Sequence, residues 1–100
     1  MRETGGRGTG RINDTALHTG LDIDQIVILE DDTSFETVLM STKDTNDLEW
    51  ELPVNIAESG DEPDIGLSHV KGEYIPLKFN EEKITAIQLS SGSIRYYNRI

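Results

Sequence analysis

Residues 83–100 read KITAIQLSSGSIRYYNRI, and the spacing of their apolar side chains sets the fold class. Thr85, Ile87 and Leu89 recur at every second position. Ser90, Ser91, Gly92 and Ser93 follow, and then Ile94, Tyr96, Asn98 and Ile100 recur with the same period. A period of two puts alternate side chains on opposite faces of an extended chain. Gly92 offers the positive φ that a tight reversal needs. The segment predicts two strands joined as a terminal hairpin.

The same reading extends toward the N-terminus. In residues 47–56, Leu48, Trp50, Leu52, Val54 and Ile56 alternate with Asp47, Glu49, Glu51, Pro53 and Asn55, which predicts a half-buried strand with Trp50 on its packed face. Pro53 has no N–H to donate and places that strand at a sheet edge or breaks it. Residues 24–41 hold a β-branched run, the polar turn Glu30-Asp31-Asp32-Thr33, and a second run from Phe35 to Met40. Ile75, Leu77 and Phe79 share one face of a further strand. Residues 57–66, AESGDEPDIG, form a polar loop. No segment sustains a helical apolar period, so the expected fold is all-β, a small β-sandwich or jelly-roll-like barrel of about six to eight strands.

One hundred residues with eleven isoleucines and nine leucines suit a single domain with a thin core, and association with a partner would add stability. There is no cysteine, which removes disulfides and thiolate chemistry. The longest apolar run, Ile26 to Leu29, is far too short to cross a membrane, and the N-terminus carries no apolar signal. The sequence predicts a soluble protein.

Charge is unevenly spread. The net charge is −10, yet residues 14–64 hold fifteen Asp and Glu against one Lys, while residues 1–13 hold three Arg against one Glu. The acidic stretch repels nucleic acid and anionic membranes. Residues 1–10 are glycine-rich and lack apolar area to offset their ordering, so residues 1–20 are expected to be a flexible Gly/Arg-rich arm and connector ahead of a β domain over 21–100. Arg2, Arg7 and Arg11, with Ile12, are the expected partner-binding residues, because arginine forks pair with carboxylates on a protein surface. Three arginines offer nucleic acid too few phosphate contacts. Deletion of residues 1–12 should then weaken attachment and leave the β structure unchanged.

Catalytic chemistry is not supported. His18 and His69 each stand alone, without the spacing of a zinc site. No serine lies in a G-x-S-x-G elbow. The stretches LDID, EDD, DTND and GDEPD lack the calcium-loop spacing, and paired acids for glycoside hydrolysis have no support beyond the abundance of carboxylates. No cofactor or metal is expected.

Residues 84–98, ITAIQLSSGSIRYYN, resemble the closing hairpin of small virion proteins of tailed bacteriophages. Residues 15–38, TALHTGLDIDQIVILEDDTSFETV, look like the segment after the N-terminal leader in such proteins. The resemblance covers about 40 residues and points to head-decoration, cement or head-fibre-like proteins. It implies Phe35, Ile87, Leu89, Ile94 and Tyr96 as core or subunit-packing residues, to which the alternation of residues 47–56 adds Trp50. It further implies a non-enzymatic homo-oligomer, a trimer by family analogy, bound to the major capsid protein or another virion protein and found in the host cytoplasm before assembly. Two alternatives stand beside it. One is a cupin-like small-ligand module whose pocket would be lined by both histidines; the other is an acidic regulator of a basic protein.

Overall fold

The computed structural model describes residues 8–44, 46, 49–59, 68–78 and 81–99. Seven strands run through them: β1 (Thr9–Ile12), β2 (Ile23–Ile28), β3 (Ser34–Thr42), β4 (Val54–Asn55), β5 (Tyr74–Pro76), β6 (Glu82–Ser91) and β7 (Ile94–Asn98). One helical turn, α1 (Ile56–Ser59), follows β4. The strands pair antiparallel in the order β1-β7-β2-β6-β3-β4, with β5 also on β2. The protein is all-β, as its period-two patterning requires, and the sheet curls into a half-barrel.

The curl comes from one stretch of chain that changes neighbours. His18 and Ile87 exchange backbone hydrogen bonds of 2.8 and 2.9 Å, Leu21 N–H donates to Thr85 O at 3.0 Å, and Ile23 pairs with Ile84. Beyond Ile23 the strand leaves β6 and lies between β7 and β5. Three register shifts help: Glu36 in β3, and Ser90 and Thr85 in β6, are skipped in the β3–β6 pairing, and such bulges bend a strand and increase its twist.

The concave side is filled by isoleucine. Ile12, Ile94 and Ile28 form one row across β1, β7 and β2. Phe35 faces Leu89, Val38 faces Ile87 and Met40 faces Ile84 across β3 and β6. All of these side chains are buried, and each fully buried Ile or Leu contributes about 1.5–3 kcal/mol relative to exposure.

Three expectations need correction. β6 and β7 are not a hairpin, because β2 lies between them in the sheet. Gly92 does adopt positive φ, 88°, but the turn carries the chain over the end of β2, where Leu29 N–H donates to Ser93 O at 3.0 Å. Second, the β body starts well before residue 21: Thr9–Ile12 pair with β7 from Tyr97 to Ile94. A β-carbon at Gly10 would lie 2.3 Å from the Tyr96 ring, so this glycine makes room for an aromatic ring. Removing residues 1–12 would therefore strip a strand from the sheet.

The third correction concerns residues 47–56. Among its described residues, 49–56, only Val54–Asn55 form a strand, and Leu52 is 86% exposed. Asn55 ends the strand. Its side-chain oxygen accepts from Val38 N at 3.0 Å and from Ala57 N at 3.1 Å, which caps the helical turn and drops Ile56 into the core. Pro53, next to Val54, cannot extend the ladder. Leu48, Phe79, Ile100 and most of the 57–66 loop lie outside the described residues.

Candidate functional site

Of the four residues expected to bind a partner, Arg2 and Arg7 lie outside the described residues. Ile12 is only 1% exposed and belongs to the core; alternation along β1 turns it inward. It is therefore not available to a partner. Arg11, its neighbour, points outward and is exposed.

Arg11 sits in a surface that the sheet assembles from four strands. The rows Arg11, Arg95, Val27, Tyr74 and Thr9, Tyr97, Gln25, Pro76 run across β1, β7, β2 and β5 on the convex side. None of these eight positions is acidic, although the chain carries nineteen Asp and Glu. Asp24, at the irregularity before Gln25, is the one carboxylate in these four strands. Arg11 and Arg95 are directly opposed, an arrangement in which like charges destabilise the pair. Neither forms an ion pair with another described residue. Tyr74 is 54% exposed, and its hydroxyl donates to Gln25 Oε1, tethering its hydroxyl end at the neighbouring strand. Arginine and tyrosine with few carboxylates is the composition of protein–protein interface cores.

A different surface lies at the far end of the strand order. Glu51 N–H donates to Thr42 O at 2.8 Å, Val54 pairs with Met40 and Asn55 with Leu39, so this segment lines the outer edge of β3. Glu49, Glu51, Leu52 and Val54 are all exposed along it.

Trp50 leaves the packed face assigned to it by alternation. It is half-buried at the end of the half-barrel where β3 and β7 finish and β2 and β6 begin. Lys43 Nζ, Lys83 Nζ and Arg99 Cζ lie 5.1, 4.6 and 4.9 Å from its ring centroid, all within cation–π range. Arg99 also reaches Asp22 at 3.3 Å. Phe35, Ile87, Leu89 and Ile94 are buried in the core, and Tyr96 is half-buried against it, its ring over Gly10.

The two histidines are held separately. His18 Nε2 meets Asp14 Oδ1 at 2.8 Å beside β6. His69 is buried, pairs with Thr33 and meets Phe35 edge to face at 5.6 Å. Its Nδ1–H donates to Glu73 Oε2 at 2.7 Å, since an ionised carboxylate only accepts. That bond, then one from Val70 N–H, holds the Glu73 carboxyl below its usual range. Asp14 is lowered in the same way, by His18 first and Ala16 N–H second.

Sequence reasoning found Arg11 but missed Arg95, Tyr74 and Tyr97. Their alternation with Ile94, Tyr96 and Ile75 was the available signal; what it lacked was the pairing that puts them side by side. No known protein family, characterised protein or solved structure matches the chain.

Proposed function

We propose that this protein is a non-enzymatic structural protein that works by associating with copies of itself and with another protein surface. The observation that supports this best is the edge formed by residues 51–55. β4 ends the strand order among the described residues, and it presents Leu52 at 86% and Val54 at 59% exposure. A sheet edge bearing exposed apolar side chains is a template for pairing unless something covers it. A second protein surface would remove that apolar area from water.

The finer reading is a decoration or cement protein of a tailed bacteriophage capsid, a trimer by family analogy. It rests on the resemblance of residues 15–38 and 84–98, of which the second has lost the hairpin pairing that suggested it. The cupin-like alternative called for one pocket lined by both histidines, whereas His18 and His69 bond to separate carboxylates and form separate bridges, to Ile87 and to Thr33.

Sedimentation equilibrium across the micromolar range tests the first part. A concentration-dependent mass above the monomer's supports it, and Leu52→Lys with Val54→Lys should return the mass to that of a monomer. A wild-type protein that stays monomeric sinks the reading. Binding to phage particles that lack the protein tests the second part; failure to bind removes the virion assignment and leaves self-association standing.

A further inference from the structure

Resting on the self-association reading, we infer that the convex Arg11–Arg95–Tyr74–Tyr97 face docks on the Glu49–Glu51–Leu52–Val54 edge of a second copy, a head-to-tail contact. The first surface belongs to the β1-β7-β2-β5 half of the sheet, and the second follows the β4 end of the strand order. They are different surfaces of one molecule, as a heterologous interface requires.

Their chemistry is complementary. Two exposed arginines face outward with no carboxylate partner among the described residues, flanked by Val27, Pro76 and the two tyrosines. The opposite edge offers two exposed glutamates and two exposed aliphatic side chains. A carboxylate placed between Arg11 and Arg95 turns a repulsive cross-strand pair into a charge-assisted bridge. Leu52 and Val54 then have tyrosine rings to pack on.

Charge also selects the symmetry. A two-fold contact of the convex face with itself would set Arg11 and Arg95 against their own copies, and like charges brought together suppress such pairing. A head-to-tail contact avoids this. When its rotation closes, it makes a ring. Nucleic acid would meet only two arginines on this face, too few phosphate contacts for tight binding, whereas the edge of a second copy offers carboxylates and apolar side chains together.

The test uses two charge-reversed full-length variants, Arg11→Glu/Arg95→Glu and Glu49→Lys/Glu51→Lys. All four positions are exposed, so far-UV circular dichroism should match the wild type and serves as the folding control. Each variant alone should need at least about tenfold more protein to associate than the wild type. Mixing the two at equal concentration should restore association at wild-type protein concentrations, with the two variants alternating. In that mixture reversed charges face each other across one contact, while the other pairing sets unaltered surfaces together. A wild-type protein that associates while both variants keep its mass overturns this inference and leaves self-association intact. A monomeric wild type overturns both. Wild-type binding of a labelled single-stranded oligonucleotide, abolished by Arg11→Glu/Arg95→Glu, would assign the face to nucleic acid and overturn the docking.

Discussion

Replacing Gly92 by alanine separates two demands that the β6–β7 turn places on one residue. The φ of 88° lies in the left-handed region, where a β-carbon costs roughly 1–2 kcal/mol. Space is the second demand: the added carbon would lie 2.6 Å from the Thr33 α-carbon and 2.0 Å from its hydroxyl oxygen. The α-carbon is backbone and cannot swing aside. Thr33 is fixed there because its hydroxyl donates to Glu30 O at 2.8 Å and accepts from Ser93 N at 3.2 Å. Ser91 Oγ–H adds a bond to Asp32 O at 2.7 Å. Overpacking of this kind costs about 1–3 kcal/mol more.

Gly72 is the control. Its φ is 92°, and a β-carbon there meets nothing within 4 Å, so Gly72→Ala carries the backbone cost alone, offset by roughly 0.4–1 kcal/mol from a stiffer unfolded chain. The expected losses are about 1 kcal/mol for Gly72→Ala and about 2–4 kcal/mol for Gly92→Ala. The second is a large share of the roughly 5–15 kcal/mol that holds a domain folded. Urea unfolding at one fixed protein concentration measures both, since self-association would otherwise shift the midpoints. Equal midpoint shifts for the two variants would refute the packing of Gly92 on Thr33.

Ile12→Ala should cost about 2–5 kcal/mol in the same assay, because Ile12 is a core residue in a paired strand; a change within a few tenths would return it to the arm. Acid sensitivity should follow Glu73. Its carboxyl is lowered from an ordinary value of 4.5, so its stabilising contribution is complete above that pH and disappears as pH falls through the lowered value. Glu73→Gln should flatten that part of the stability profile, and an unchanged profile would show that the His69 bond does not stabilise the fold. Lys83→Met should cost about 0.5–1 kcal/mol with Trp50 present and nothing in a Trp50→Leu background; equal costs in both backgrounds would deny the cation–π contact.

The sequence alone determined that this chain builds an all-β domain, because period-two alternation is a local property that survives any choice of strand neighbours. It located the Glu30–Thr33 turn and the positive φ of Gly92 for the same reason, since both depend on a few adjacent residues. Strand partnership was not local. Lys83 to Ile100 read as a hairpin, yet residues 18–23 take the free edge of β6 and β2 takes the edge of β7, and hydrogen bonds between residues some seventy positions apart carry no mark in either segment. Residues 47–56 alternate well in sequence, yet of the described ones only Val54–Asn55 join the sheet, because Pro53 and the Asn55 cap end the ladder on either side. The Arg11–Arg95 face likewise exists only after β1 and β7 pair: two ordinary surface arginines become a repulsive pair through a register that tertiary structure decides.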